Sequence, residues 1–276
     1  MAKKIGRIVL VTFLSLFLIY TMILRVYYTR LLAGSEEYVP GIEQYGDLDE
    51  AWRNLISGCY YINLDRAVDR RAYMEEEMAK VNIQCVRFPA IDGRTLPNPC
   101  VQGKISSGAI GCKLSHLALL KKVARRGWTL ILEDDIKFPV GRNFKKEVLE
   151  AIDVVPSDAE FIMLGTSPRS MTLRFGLFQF RPHAKNMWKT TSNLTCLHAY
   201  LVRHSAARRW VKTIEDYFCA VPVDMHAKSI DVTYLYHRAS TLGDFWRLLA
   251  FQDLSYVIQN KERFGYGDSL ISADRF

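Results

Sequence analysis

Three consecutive carboxylates, Glu133, Asp134 and Asp135, directly follow the apolar run Trp128–Leu132. Their mutual repulsion raises the pKa of at least one carboxyl unless a cation neutralises the group. Carboxylate oxygens suit Mg²⁺ or Mn²⁺, and either ion can bridge to a diphosphate. Alternation along an extended chain places Glu133 and Asp135 on one side and Asp134 on the other. A solvated acidic turn or a helix N-cap is the competing interpretation.

Cationic side chains follow an earlier apolar run, at Arg66, Arg70 and Arg71. Guanidinium groups match the oxygens of phosphate. The same arginines can instead pair with the acids at 75–77 on one helix face, and charge alone favours that second interpretation. His116 has apolar neighbours at helical spacing, which favours a buried core residue over a ligand.

Alternating strand and helix patterns must position these groups. Strand patterns cover 59–63, 84–88, 128–132, 161–164 and 198–202, and helix patterns cover 68–80, 106–126, 144–153 and 205–215. This alternation predicts an α/β fold with a mainly parallel sheet and helices on both faces. Ligands bind such sheets beyond the carboxyl ends of the strands. The sequence contains no Walker, G-x-G-x-x-G, G-x-S-x-G or H-E-x-x-H motif.

The net charge of +8 is unevenly distributed along the 276 residues. Five of these charges lie in the first 34 residues, which contain no acid. The rest of the chain is therefore nearly neutral, and this argues against a nucleic-acid-binding protein.

Residues 8–24 form a run of 17 residues without charge. A helix of that length spans roughly 26 Å, close to the thinner bilayers of about 27 Å. The preceding basic residues favour a cytoplasmic N-terminus and a translocated C-terminal part. A cleaved signal peptide and a buried hydrophobic helix are the alternatives. We expect a cytoplasmic tail and transmembrane anchor at 1–33, a stem or linker at 34–57, and a folded domain at 58–276.

Six cysteines are present, and none forms a C-x-x-C pair: Cys59, Cys85, Cys100, Cys112, Cys196 and Cys219. Their spacing disfavours a zinc site. A translocated domain permits disulfides, whereas buried thiols are the alternative. Asn193 begins the one N-x-S/T sequon, an acceptor only in a glycosylating compartment. A helix pattern also covers part of the aromatic-rich segment 244–264.

Four segments occur in a distinctive order: YYINLDRAVDRR (60–71), RFPAIDGR (87–94), GAIGCKLSHLALLKKV (108–123) and WTLILEDDIKF (128–138). The chain thereby resembles glycosyltransferase family 25, the group of lipooligosaccharide and procollagen-type galactosyltransferases. FIMLG (161–165), HAYLVRHSAARRWV (198–211) and PVD (222–224) resemble its later, weaker blocks. Lys113 departs from the resemblance, since a small apolar residue is expected there.

The resemblance implies a GT-A type, Rossmann-like sheet and an acidic motif that carries Mn²⁺ or Mg²⁺. It implies an inverting transfer of a sugar, expected to be galactose, from a nucleoside-diphosphate sugar such as UDP-galactose. The acceptor is a hydroxyl of a glycan, a lipid-linked saccharide or a protein. With the anchor, this predicts a single-pass membrane enzyme whose catalytic domain (58–276) is lumenal, of the ER or Golgi type, or otherwise translocated. A catalytically inactive binding or adhesion module and a non-transferase nucleotide-binding enzyme are the alternatives.

The resemblance also implies roles for individual residues. Glu133 and Asp135 are the expected metal ligands, and Asp224 is the expected catalytic base. A helix N-cap is the competing role for Asp224. The expected nucleotide-sugar-binding residues are Asn63, Asp65, Arg66, Arg70, Asp92, Gly93, His116 and Asp134. Gly111 and Ser115 match the third segment.

Overall fold

The structure is a computed structural model that describes residues 15, 19, 20, 22, 46–97, 105–138, 141–165, 181–184, 186–190, 197–219, 223, 233–236 and 251–252. Among these residues, none of the helices has the length and apolar character needed to cross a membrane. Except for residues 15, 19, 20 and 22, the predicted anchor at 1–33 lies outside the described residues.

Within the described residues five helices flank the sheet. They are α1 (Leu48–Leu55), α2 (Val68–Lys80), α3 (Ser107–Leu120), α4 (Phe144–Val154) and α5 (His204–Asp216). Side-chain oxygens of Asp47, Ser106 and Asn143 accept backbone N–H bonds at the starts of α1, α3 and α4. These caps satisfy donors that have no partner inside a helix, which fixes where each helix begins. A 3-10 turn (Gly93–Thr95) precedes α3.

Ten short strands are described. They are β1 (Ile56–Asn63), β2 (Val86–Pro89), β3 (Trp128–Glu133), β4 (Ile136–Lys137), β5 (Phe161–Met163), β6 (Arg181–Ala184), β7 (Met187–Thr190), β8 (Ala199–Val202), β9 (Thr233–Tyr236) and β10 (Phe251–Gln252). Eight of them form one sheet in the order β2-β1-β3-β8-β5-β9-β7-β6. The pairings give six of these strands one direction, and only β7 and β8 run the other way. The fold is therefore mixed α/β with a mainly parallel central sheet, as the sequence predicts.

The sheet is buried on both faces. One core packs residues of α3 and α5 against the sheet, and the other packs residues of α2 and α4. Strand β3 serves both cores, because Ile131 belongs to the first whereas Leu130 and Leu132 belong to the second. A strand buried on both faces is expected to be continuously apolar, and this explains the WTLIL run.

Helix α1 packs on the fold although the sequence analysis places it in the linker (34–57). The rings of Trp52 and Phe144 lie 6.4 Å apart, and Lys145 pairs with Asp49 at 2.6 Å. Residues 48–57 thus form α1 and the start of β1. The predicted linker (34–57) therefore includes residues that belong to the packed fold.

Two further features bear on the sequence predictions. Strand β10 pairs antiparallel with β4, so the helix expected at 244–264 is wrong at residues 251–252. Cys59 and Cys85 form a disulfide, and Cys219 is also disulfide-bonded, whereas Cys112 carries a thiol. Cys100, Cys196 and Asn193 lie outside the described residues.

Candidate functional site

The carboxyl ends of β1, β2 and β3 meet at one edge of the sheet. Strand β1 lies between the other two and runs parallel to both, with Asn63 beside Pro89 and Ile62 beside Glu133. The residues that follow these ends are therefore neighbours, although up to 71 positions separate Asn63 from Asp134 in the sequence. This is the edge at which the sequence analysis expects a ligand.

The acidic run is divided between the two faces of the sheet. Glu133 continues the alternation of β3 and faces α3, where it contacts His116. Asp134 points to the opposite face and contacts Arg70 of α2. The chain then turns, and Asp135 also approaches Arg70. The expectation that Asp135 shares a side with Glu133 is wrong, because alternation holds only for an extended chain.

The first group of side chains, which we call the Arg70 cluster, comprises Asn63, Arg70, Asp134 and Asp135. The Arg70 guanidinium pairs with Asp134 and lies 3.4 Å from an oxygen of Asp135. The amide of Asn63 donates to Asp134 over 2.6 Å. Burial raises the pKa of Asp134 to about 7, although Arg70 and Asn63 act against this, and the charges of Asp135 and Glu133 raise it further.

The second group, the His116 cluster, comprises Cys112, His116, Glu133 and Tyr200. His116 is fully buried, with Nε2 at 3.1 Å from Glu133 Oε1 and Nδ1 at 2.9 Å from the Tyr200 hydroxyl. The Cys112 thiol lies 3.9 Å from the same Glu133 oxygen. Burial is the largest single influence on Glu133 and opposes its ionisation, but the hydrogen bond and charge of His116 together with the charges of His198 and Arg70 outweigh it and lower the pKa of Glu133. Burial raises the pKa of Tyr200.

Asn63 is held by Arg87, which was not among the predicted site residues. The Arg87 Nε donates to Asn63 Oδ1 over 2.9 Å, and its Nη2 reaches Asp65 at 2.5 Å. Arg71 donates to the backbone carbonyl of Asp65 over 3.3 Å. Arg87 lies within the second motif segment, which is the one signal in the sequence that points to it. Asp65 itself is 79% exposed and stays available at the rim of the edge.

Two exposed arginines converge on Asp92 at the end of β2. Arg66 donates to Asp92 over 2.6 Å, and Arg94 contacts the same carboxylate at 3.3 Å. Asp92 also accepts the Arg94 backbone N–H and so begins the 3-10 turn. The hydrogen bond from Arg66, aided by those from Arg94, holds the pKa of Asp92 well below its usual range.

Gly93 and Gly111 pack backbone against backbone. A Cβ on Gly93 would lie 1.9 Å from the carbonyl oxygen of Ser107, and a Cβ on Gly111 would lie 2.5 Å from that of Ile91. The Ser115 hydroxyl also accepts the Ile91 N–H over 2.8 Å. These contacts fix α3 against the 3-10 turn, so Gly93 has a structural role whatever its predicted part in nucleotide-sugar binding.

Lys113, the departure from the family pattern, is fully buried. Its ammonium donates to the backbone carbonyl of Phe218 and lies 5.0 Å from the centre of the Phe218 ring. A carbonyl just beyond α5 and an aromatic face both stabilise a cation. The long side chain therefore ties α3 to the end of α5.

The structure brings most of the predicted site residues to one edge. Asn63, Arg70 and Asp134 meet in one cluster, and Glu133 meets His116 in the other. Asp65, Arg66, Asp92 and Gly93 lie in the segments that follow β1 and β2 at that edge. Asp224, the expected base, lies outside the described residues. Arg87 and Tyr200 also lie at the site, although neither was among the predicted site residues.

Two donor sets at this edge fit metal ions of different chemistry. Asp134 and Asp135 offer oxygen donors, and two buried carboxylates beside one guanidinium are an environment that a hard divalent cation would stabilise. Cys112, His116 and Glu133 offer sulfur, nitrogen and oxygen atoms that all lie within 4.8 Å of one another, close enough for one metal ion to contact all three.

The family model "Glycosyltransferase family 25 (LPS biosynthesis protein)" matches residues 56–227, more than half of the chain. The putative glycosyltransferase R655 of Acanthamoeba polyphaga mimivirus is 36% identical over 117 residues, which cover 38% of this chain and 36% of that protein. Procollagen galactosyltransferase 2 of Homo sapiens is 30% identical over 150 residues, which cover 47% of this chain and 23% of that protein. The matches thus span about a third or less of these relatives.

A solved structure, the UTP-bound UGPase from Acinetobacter baumannii, is 11% identical with a TM-score of 0.43, and the match covers 80% of this chain and 97% of that chain. A similarity of this extent carries no inference about function.

Proposed function

Because the chain belongs to glycosyltransferase family 25, we propose that it transfers a sugar from a nucleoside-diphosphate sugar to an acceptor hydroxyl. One observation carries the proposal: the edge where β1, β2 and β3 end lies within the matched range and gathers carboxylates and guanidinium groups there. Guanidinium groups suit an anionic diphosphate whose departure builds negative charge, and carboxylates can hold a divalent cation or accept the proton of the acceptor hydroxyl.

The exposed cations at this edge suit the diphosphate of the donor. Arg66 and Arg94 have 41% and 48% of their side chains exposed, so both can turn from Asp92 toward a ligand. Guanidinium forks match phosphate oxygens. Asp65 at the rim can accept a hydrogen bond from a hydroxyl of the nucleoside or the sugar. We propose galactose as the sugar, because relatives are named procollagen galactosyltransferases, and a glycan, lipid-linked saccharide or protein as acceptor.

Asp134 and Asp135 would hold Mn²⁺ or Mg²⁺ in this proposal. When bound, such an ion acts as a Lewis acid that stabilises the departing diphosphate. Glu133, expected from the sequence to share this role, is directed instead to His116. Asn63 and Arg70 position the Asp134 carboxylate through a hydrogen bond and an ion pair.

Inversion requires a base on the side of the acceptor. The acceptor oxygen forms a bond to the anomeric carbon as the bond from that carbon to the diphosphate breaks. The hydroxyl proton passes to a carboxylate within hydrogen-bond reach. Asp224 is the proposed carboxylate, by its match to the late family segment PVD (222–224).

We further propose that residues 1–33 anchor the chain and that the domain lies in a lumenal or otherwise translocated compartment. The uncharged run at 8–24 supports the anchor. The Cys59–Cys85 disulfide supports the compartment, since disulfides persist in oxidising environments. Protease digestion of intact microsomes should spare the domain, and digestion without detergent would contradict this location.

A donor panel tests the activity. The full chain is incubated with nucleoside-diphosphate sugars and simple hydroxyl acceptors, with Mn²⁺ or with a chelator. Release of nucleoside diphosphate is followed together with formation of the glycoside. Metal-dependent turnover of one donor is the expected result. No turnover and no metal-dependent binding of any donor would instead support a catalytically inactive binding module.

A further inference from the structure

The His116 cluster has the composition of a metal site that the proposed reaction does not use. Cys112 and His116 lie four residues apart on α3, so both project from one helix face toward the end of β3. Glu133 reaches them from the strand. A thiol, an imidazole and a carboxylate together suit a borderline-soft cation better than Mg²⁺ or Mn²⁺.

The spacing of the ligand atoms suits tetrahedral coordination. Zinc bonds of about 2.0–2.3 Å place neighbouring tetrahedral ligand atoms roughly 3.4–3.7 Å apart. The Glu133 oxygen lies 3.1 Å from His116 Nε2 and 3.9 Å from Cys112 Sγ. All three ligand atoms lie within 4.8 Å of one another. The two distances to Glu133 need changes of only a few tenths of an ångström. The Cys112 and His116 ligand atoms, which lie within 4.8 Å of each other, need to approach by at most about 1.3 Å to complete the three-ligand set.

The surroundings already orient the imidazole. The Tyr200 hydroxyl lies 2.9 Å from Nδ1 of His116 and can accept the Nδ1 proton, so that in the metal-bound form the Nε2 lone pair is available for the cation in place of the hydrogen bond to Glu133. The tyrosine ring stacks on the imidazole with centroids 5.9 Å apart. Tight packing of Gly111 against Gly93 fixes the helix that carries both ligands.

We propose that Cys112, His116 and Glu133 bind a thiophilic divalent cation of the Zn²⁺ class, separate from the Asp134 and Asp135 oxygen donors. The Glu133 side chain is 25% exposed, so water can take the fourth position. The bond to sulfur forms as the Cys112 proton leaves to solvent, and no electron is transferred. The ligands come from a helix and a strand, so the site contains no C-x-x-C pair by which it could be recognised in the sequence. The bound ion ties α3 to the end of β3.

Cobalt spectroscopy tests this site without relying on catalysis. The full chain is stripped with chelator and titrated with Co²⁺, whose thiolate complexes absorb in the near ultraviolet. Cys59, Cys85 and Cys219 are disulfide-bonded, so among the described cysteines a thiolate band reports Cys112. We expect one equivalent to bind and Zn²⁺ to displace it. We also expect Zn²⁺ to raise the melting temperature, because it binds the folded state.

Two matched variants assign the band. Cys112→Ser keeps the shape of the side chain and should weaken Co²⁺ binding more than about 100-fold, beyond what loss of an outer-shell partner costs. Asp135→Asn should leave the band unchanged. No band in the wild type, or an unchanged band in Cys112→Ser, would overturn the site. Sugar transfer measured on the same samples keeps the two proposals apart, since transfer without a thiolate band refutes only the metal site.

Discussion

The Arg70 cluster and the His116 cluster neutralise neighbouring members of one acidic run in different ways. Asp134 and Asp135 are 5% and 4% exposed and share a permanently charged guanidinium. Glu133, one residue earlier, keeps a quarter of its side chain exposed and contacts an imidazole and a thiol. The face of the sheet, more than the residue type, therefore decides what each carboxylate can do.

The two clusters also differ in the acidity of their carboxyl groups. Burial raises the pKa of Asp134 to about 7, whereas at Glu133 the combined effect of His116 and the charges of His198 and Arg70 overcomes burial and lowers the pKa. Oxygen donors remain on one face, and a mixed sulfur, nitrogen and oxygen set forms on the other.

The largest effect on stability is expected at Arg70. Arg70→Met leaves two buried carboxylates without their cation, which costs about 3–5 kcal/mol of unfolding free energy at pH 8. The cost should shrink at pH 5, where Asp134 binds a proton. Urea denaturation measures both values. Arg71→Met is the matched control, because Arg71 makes only longer contacts to Asn63 and Asp65 and should lose less than about 1 kcal/mol. Equal losses in the two variants would refute the special role of Arg70.

Gly111→Ala tests how firmly α3 is held for the His116 cluster. The added Cβ would lie 2.5 Å from a backbone oxygen, so the helix must shift. We expect a loss of about 3 kcal/mol in unfolding free energy, the upper end for overpacking, together with weaker Co²⁺ binding. Gly46→Ala is the control, since among the described residues, its chain neighbours apart, no atom would lie within 4 Å of a Cβ there. Stability and Co²⁺ affinity like those of the wild type would contradict the tight packing.

Tyr200→Phe removes the hydroxyl partner of His116 without opening a cavity. A buried ring nitrogen then lacks its hydrogen bond, which costs about 1–2 kcal/mol. The loss is smaller than at Arg70, because no permanent charge is left unpaired. Thermal denaturation monitors the effect, and Tyr217→Phe at an exposed site provides the baseline. A change no larger than this baseline would show that the hydroxyl does not hold His116.

The pH dependence of stability should separate Asp134 from Glu133. The pKa of Asp134 is raised, so the folded state binds its proton more tightly than the unfolded chain, where the pKa is about 3.9. Unfolding free energy should therefore fall as pH rises from about 4 to about 7. In chelator, Asp134→Asn should remove this fall. The lowered pKa of Glu133 acts oppositely and contributes stability that is lost only in acid. Parallel pH profiles of the unfolding free energy in the wild type and in Asp134→Asn would contradict a raised pKa at Asp134.

Asp65 is expected to show the smallest effect. Its side chain is 79% exposed, and its ion pair with Arg87 lies in solvent. Asp65→Asn should change the unfolding free energy by less than about 0.5 kcal/mol. A rise in the KM for the donor, measured beside this unchanged stability, would then report contact with the ligand. A large loss of stability would show that the rim belongs to the structural core of the Arg70 cluster.

The sequence predicts much of the framework. Helix α2 occupies the predicted residues 68–80, and β3 ends at the acidic run, because apolar periodicity and local charge determine such elements. The antiparallel direction of β8 was not predicted, since periodicity carries no orientation. The short strands β6, β7 and β9 have too few residues to show a clear period.

The site was predictable as an edge but not as a set of contacts. Parallel strand ends bring Asn63 near Asp134, and the carboxyl-end rule anticipates this. The contact between His116 and Tyr200 spans 84 residues and depends on the antiparallel entry of β8 beside β3. The turn at Asp134 and Asp135 breaks the alternation assumed from an extended chain. Long-range packing and local turns therefore account for what the sequence analysis missed.

One measurement tests the central claim that the edge beside β3 transfers sugar through the Arg70 cluster. Release of nucleoside diphosphate from the preferred donor is compared between Asp135→Asn and Asp158→Asn in the full chain with Mn²⁺. Asp158 is exposed and precedes β5, whose amino end lies at the opposite edge of the sheet. We predict a loss of about 100-fold or more in Asp135→Asn and full activity in Asp158→Asn. Full turnover in a folded Asp135→Asn protein would contradict the account.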